Sequence, residues 1–375
     1  MQKKLIALAI ASTVGGLVSV PVFAQSQVQV YGIIDEAVTV ANYGAGNVTQ
    51  LKGSAYNTER LGFQGSEDMG NGLKANFRLE LGQVTDTGSL DNSNNQLFQR
   101  EATLGLSGPW GQIRAGRTYS PLFIDIQAAN DMFYVAGYGS NYALTSTGMT
   151  RVNNQLKYDS ASMNGFQIGV GYGMGDTTSA ATYVLNPNIN GIGQESSLAP
   201  KDLGRHVGVS LRYTNGPLFV GYGYGGQKAT TAGAGLNPIE TKAQMVTGNY
   251  DFKVVKVFAG YQTVNNDANP RTVDQRVWNV GGSVPLFGND HVKLQYTKLE
   301  VKLPGVTNAD SHLIALGYEH PMSKRTTLFG TYAKMDNDAA VARSFLNGNA
   351  LITSAGAANP GYSPNSFQVG LSHKF

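Results

Sequence analysis

Six residues, Gly221-Tyr222-Gly223-Tyr224-Gly225-Gly226, carry the glycine spacing of a dinucleotide-binding fingerprint, in which bare backbone approaches a pyrophosphate at a helix start. No helical periodicity follows them and the glycines lie within a strand pattern, so the match is a coincidence. The five histidines show no HExxH spacing, and there is no cysteine for soft-metal ligation. No GxSxG nucleophile elbow occurs. Glu67 and Asp68 sit at a strand end before a turn, where solvated charge is the ordinary role. The chain is therefore expected to be no enzyme and to hold no metal or cofactor.

The charged residues that do form a pattern recur at every second position. From Leu73, the odd residues Leu73, Ala75, Phe77, Leu79 and Leu81 are apolar, while Lys74, Asn76, Arg78 and Glu80 are polar. A helix would scatter both sets around its circumference, whereas a strand puts them on opposite faces. The same alternation sets Arg60 and Gln64 against Leu61 and Phe63. It sets Arg151, Asn153, Gln155 and Lys157 against Val152, Leu156 and Tyr158. On such strands a row of ionisable groups faces one medium and a row of apolar groups another.

Read along the chain, this period predicts sixteen strands, near 27–40, 59–68, 73–84, 97–106, 112–118, 151–158, 166–175 and 205–213, then 218–228, 240–251, 254–264, 276–285, 291–300, 311–319, 326–335 and 365–375. Short connections such as Met69–Gly72 and Thr214–Pro217 alternate with long ones at 41–58, 85–96, 119–150, 176–204, 229–239, 265–275, 301–310 and 336–364. An even number of antiparallel strands, with tight turns at one end and long loops at the other, describes a transmembrane barrel. Lipid offers no hydrogen-bond partner, so a sheet in a membrane has no free edge. At about sixteen strands the circumference is too large for side chains to fill, and the lumen stays wet. The expected fold is all-β, a 16-stranded antiparallel transmembrane β-barrel.

Composition agrees. The 47 glycines disfavour long helices, and the 19 tyrosines and 15 phenylalanines favour strands and membrane–water boundaries. Residues 1–24 read as a secretory leader: Lys3 and Lys4, an apolar stretch from Leu5 to Val20, and Val22-Phe23-Ala24 as a cleavage site. Removing it leaves the barrel domain, 25–375, and lowers the formal charge from +3 to +1. That balance gives no reason to expect nucleic acid as a partner. After Ala24 no run approaches the roughly 20 apolar residues that a spanning helix needs. Mean hydropathy is −0.19.

Several stretches resemble the trimeric general diffusion porins of Gram-negative bacteria, especially the betaproteobacterial branch. They are Val30-Tyr31-Gly32 with Asp35, Glu59 to Asp68, Gly72 to Glu80, Arg100 to Leu106, Gly116-Arg117, Ser323 to Thr326, and the closing His373-Lys374-Phe375. They run in family order from both ends, so the resemblance spans the mature chain. It implies an outer-membrane homotrimer of barrels, each a passive channel for small hydrophilic solutes and ions, with the third long loop folded inward. It also implies contact with lipopolysaccharide, and recognition of the terminal Phe375 by the barrel assembly machinery.

The family pattern puts Arg60, Arg100 and Arg151 in a basic cluster at the pore constriction, with Glu80 beside them. Parity independently turns Arg60 and Arg151 inward, and Arg78 shares the face of Glu80. Arg100 has the parity of Ala102, Leu104 and Leu106, which by hydrophobicity alone face outward. The third loop would bring Asp125 and Asp131 opposite the cluster. Arg117 has the parity of Ile113 and Ala115 and is expected to point outward, to meet Asp86 or Asp91 of a neighbouring subunit. Two guanidinium groups about 5 Å apart repel by roughly 3 kcal/mol at an effective dielectric near 20, and neither can shed its proton. The long loops sum to −7 and the strands and turns to +8, which leans towards anion preference. Two other readings are a solute-specific channel, suggested by the loop aromatics Tyr119, Phe123, Phe133, Tyr134, Tyr138 and Tyr142, and a barrel adhesin or receptor.

Overall fold

The computed structural model describes residues 27–43, 46–91, 96–175, 203–229, 239–268, 270–302, 305–345 and 360–375. The leader, most of the loop at 176–204 and parts of those at 229–239 and 336–364 lie outside the described residues. The first strands are β1 (Gln27–Asn42), β2 (Asn47–Gly53), β3 (Arg60–Gly70), β4 (Leu73–Leu81), β5 (Gln83–Val84) and β6 (Ser89–Leu90). Next come β7 (Glu101–Gly108), β8 (Gly111–Tyr119), β9 (Arg151–Ser160), β10 (Phe166–Met174), β11 (Arg205–Asn215), β12 (Leu218–Ala229) and β13 (Ile239–Asp251). The last are β14 (Lys256–Asn266), β15 (Asp274–Pro285), β16 (His291–Val301), β17 (Ser311–Pro321), β18 (Thr326–Asn337) and β19 (Asn365–Lys374).

Sixteen of these make the wall, each antiparallel to its neighbours, and the wall closes where β1 meets β19 from Ile33↔Lys374 to Asn42↔Asn365. Closure leaves no open edge of unpaired backbone for lipid to meet. The other three lie in loops. β2 doubles back on the upper half of β1 while β3 pairs with its lower half, and β5 and β6 form a separate hairpin. All sixteen expected strands are present. The fourth begins at Glu101, four residues later than expected, because 97–100 is still loop.

The two faces of the wall are inverted relative to a soluble protein. On β7, Leu104 is 67% exposed, whereas Glu101 and Thr103 are 1% and 7% exposed. Apolar residues look out and polar residues look in, as a lipid-facing shell around water requires. The tight turns use local chemistry. Between β3 and β4, Gly70, Asn71 and Gly72 all have positive φ, and the Asp68 carboxylate accepts the Gly70 N–H at 2.8 Å.

The long connection after β8 packs against the inner face. Leu122 and Ile126, in a single π-helical turn, form a buried cluster with Ala243, Met245 and Val264 of β13 and β14. Farther on, Met132, Phe133, Tyr138 and Leu144 join Val277, Leu299, Leu313 and Ala333. Gly171, Gly208 and Gly223 clear the space: a Cβ at Gly223 would stand 2.8 Å from both Leu122 and Ile126, and one at Gly208 2.8 Å from Pro121. The glycine string that imitates a nucleotide fingerprint is thus the bare floor under this loop.

Candidate functional site

Glu80 on β4 stands opposite Gly62 on β3, which in turn stands opposite Tyr31 on β1. A Cβ on Gly62 would meet the Tyr31 ring at 2.2 Å. The ring therefore lies across the bare glycine, and its hydroxyl donates to Glu80 at 2.9 Å. The other Glu80 oxygen accepts from Arg100 Nε at 2.7 Å, and Arg60 comes within 4.0 Å of it. Arg100 also donates to the Tyr119 hydroxyl at 2.8 Å, as does Arg151 at 3.2 Å. The Arg151 guanidinium lies 4.8 Å from the centre of the Tyr119 ring. Three guanidinium groups thus gather around one carboxylate and one phenol.

Two backbone details assemble this group. Arg100 precedes the first residue of β7, so the alternation that turns Ala102, Leu104 and Leu106 outward does not bind it, and its side chain swings in to Glu80. On β8 the register with β9 shifts between Gly116 and Thr118. Gly116 has φ +130°, and a Cβ there would stand 2.1 Å from the Ala102 carbonyl oxygen. The extra residue is on β9, where Gln155 to Val152 takes three steps against two from Gly116 to Thr118, and it sets Arg151 rather than Val152 opposite Tyr119. Tyr119, which by counting from Ile113 would face lipid, faces Arg100, Glu80 and Arg151 instead. Sequence reasoning placed Tyr119 among the loop aromatics and missed this role.

A second charged network continues along the same face. Arg78 lies 3.5 Å from Glu101, which also binds Arg114 at 2.9 Å. Arg114 binds Asp159 at 2.7 Å, Asp159 binds Lys157 at 3.3 Å, and Lys157 reaches Asp125 at 3.8 Å. Glu101, Arg114 and Asp159 were not singled out from sequence, although their alternation with outward Leu104, Ile113 and Tyr158 was available to find them. Arg78 and Arg100 therefore belong to different carboxylates.

The loop acids depart from expectation, and neither faces the arginine cluster across the channel. Asp125 is turned to the adjacent wall, where Ser210 donates to it at 2.6 Å and Arg212 lies at 3.3 Å. Asp131 is folded into its own loop, accepting N–H groups from Phe133 at 2.9 Å and Val135 at 3.2 Å and the Ser140 hydroxyl. Burial pushes its carboxyl above the ordinary range despite those bonds. The cause is proximity, since each carboxylate finds donors within a few ångströms and has no reason to reach across water. Among the aromatics, Phe123, Phe133 and Tyr138 are buried against neighbouring rings or the wall and Tyr134 is exposed.

Arg117 is buried, donating to the Gln99 carbonyl at 2.5 Å and to the Asn153 side chain. Asp86 is exposed at the tip of the β5–β6 hairpin, and Asp91 follows β6. The hairpin is anchored within its own chain, since Glu59 accepts the Thr85 N–H at 3.0 Å. Phe375 extends the closing ladder, exchanging backbone hydrogen bonds with Gly32 at 3.1 and 3.2 Å, and its ring covers that glycine.

Comparison with known proteins agrees with this architecture. A family model described as Gram-negative porin matches residues 7–340. The chain is 31% identical to outer membrane porin protein 32 of Delftia acidovorans across 100% of both chains. It is 29% identical to an outer membrane porin protein of Bordetella pertussis, covering 89% of this chain and 94% of that one. Among solved structures, the anion-selective porin from Comamonas acidovorans matches with a TM-score of 0.77 at 29% identity, covering 94% of this chain and 100% of that one. OmpF of Salmonella typhi, at 17% identity and a TM-score of 0.65 over 93% of this chain and 97% of that one, shares the fold. With a closed wall that is apolar outside and charged within, the chain belongs to the Gram-negative porin family and is a sixteen-stranded barrel of the outer membrane.

Proposed function

We propose that this porin is a water-filled, anion-preferring channel for the passive diffusion of small hydrophilic solutes and ions. The observation that carries the reading is the gathering of Arg60, Arg100 and Arg151 around the single carboxylate of Glu80, a local excess of positive charge on the inner face. Fixed charge lining a pore sets ion preference. Because Asp125 and Asp131 are engaged by the wall and by their own loop, the exposed field at the constriction belongs to the arginines. The likeness to a porin named as anion-selective supports the same preference.

The loop between β8 and β9 supplies the narrowing, since it occupies the inner face beside the arginine cluster. We further propose that residues 1–24 are removed on export and that three copies assemble, Asp86, Asp91 and Arg117 lying near the contact. Lipopolysaccharide would surround the assembly, and the assembly machinery would read Phe375. Planar-bilayer recording in a salt gradient tests the central claim. The reversal potential is expected on the anion side, and the double variant Arg60→Gln, Arg151→Gln should move it towards cations. An unmoved potential defeats the assignment of selectivity to these residues.

A further inference from the structure

Beside the arginine cluster, the inner wall holds a polar recess of about 290 Å³, lined in part by Gln29, Gln64, Asn76, Arg78, Gln112 and Arg114. It is built by register. Gln29 stands opposite Gln64, Gln64 opposite Arg78, and Arg78 opposite Thr103, so four strands contribute one row of inward side chains. The neighbouring row runs from Ser66 through Asn76 to Gly105 and Arg114. Gly105 is the gap in that row. A Cβ there would stand 2.9 Å from Arg114 Cγ, so Arg114 lies across it to reach Glu101.

The charges in this recess are unequally committed. Glu101 is 1% exposed and its oxygens are taken up by Arg114 at 2.9 Å, Thr118 at 3.1 Å and Arg78 at 3.5 Å. Arg114 is spent on Glu101 and Asp159. The Arg78 side chain, in contrast, is 44% exposed. One of its nitrogens donates to Gln64 Oε1 at 2.9 Å, and Gln64 Nε2 donates in turn to Gln29 Oε1 at 2.9 Å. This relay points its donors one way and leaves the Gln29 amide nitrogen as its terminal donor, with each bond polarising the next. A passing solute therefore meets one accessible cation beside a row of amides and hydroxyls. Phe77 is the only apolar side chain among the lining residues.

We propose that this recess is a solute-binding subsite for a small polyhydroxy monocarboxylate, a sugar acid, its carboxylate on Arg78 and its hydroxyls on Gln29, Gln64, Ser66 and Gln112. One accessible cation matches one anionic group, and carboxylates pair with guanidinium groups in strong, directional hydrogen bonds. The amide row matches hydroxyls and has little for an alkyl chain. The inference rests on the channel reading above and adds a residence site to it.

Single-channel recording in chloride with added sodium gluconate tests this. The current should fall saturably as gluconate rises, whereas glucose, which lacks the carboxylate, and hexanoate, which lacks the hydroxyls, should change it without saturation. Arg78→Gln should raise the half-saturating gluconate concentration by about tenfold or more, since a charge-assisted contact is lost. Gln29→Leu, which leaves the Arg78–Glu101 contact in place, should raise it by about threefold. Arg60→Gln should shift reversal potential yet leave half-saturation within about twofold, since Arg60 pairs with Glu80 and Arg78 with Glu101 and the two share no carboxylate. Saturation lost in Arg60→Gln but kept in Arg78→Gln would place the site at the constriction and overturn the proposal. Ordinary ion currents with no saturable gluconate effect would also overturn it while sparing the channel. Absence of any conductance would instead sink the channel reading.

Discussion

At the scale of residues, the distinctive feature is one carboxylate serving several cations. Glu80 accepts from Arg100 and Tyr31 and lies within 4.0 Å of Arg60. Its negative charge is the local brake on the arginines. Glu80→Gln keeps an acceptor but removes that charge. The chloride-to-potassium permeability ratio should therefore rise, and the barrel should lose stability by about 1.5–3 kcal/mol, the range for hydrogen bonds to charged groups. A reversal potential unchanged from wild type would show that Glu80 does not shape the field. Thermal unfolding in detergent reads the second part.

At the scale of elements, the register shift between β8 and β9 decides which residues can meet. The extra residue in β9 sets Arg151 opposite Tyr119, whose hydroxyl is the partner that Arg151 and Arg100 share. Position 116, which borders that shift, suits only glycine, both for its φ of +130° and for the 2.1 Å approach to the Ala102 carbonyl oxygen. Gly116→Val should therefore disrupt the pairing of β7 with β8 and cut the yield of refolded barrel severely, read as heat-modifiable mobility on gels. Recovery at the wild-type level would mean that glycine at position 116 is dispensable. The loop after β8 depends on glycine in another way, since Gly171, Gly208 and Gly223 leave the hollow in which Pro121, Leu122 and Ile126 sit.

At the scale of the whole molecule, closure is the condition for everything else. β1 and β19 are the first and last strands described, and their ladder is completed by Phe375, bonded to Gly32 through both backbone groups. Deleting Phe375 removes those two bonds, together with the ring over Gly32. The last seam should then form slowly, and less protein should reach the outer membrane, measured by fractionation against the full-length chain. Equal amounts in the membrane would relieve Phe375 of this role.

Much of this molecule was legible in its sequence because a strand alternates with period two, and the two media here are as different as hydrocarbon and water. Leu73 to Leu81 against Lys74 to Glu80 declares both the strand and its faces, and Arg60, Arg78 and Glu80 follow from parity alone. What the residues could not declare was wherever parity stops or slips. Arg100 lies one residue before its strand, and Tyr119 lies beyond a register shift. Asp125 and Asp131 sit in a loop with no period at all, and their partners, Arg212 and the N–H groups of Phe133 and Val135, were chosen by the packing of that loop on the wall. Alternation is a local property, set by the backbone two residues at a time, so one chain segment suffices to show it. Which carboxylate meets which guanidinium across four strands depends on register and on where the glycines leave room, and those exist only once the barrel has closed.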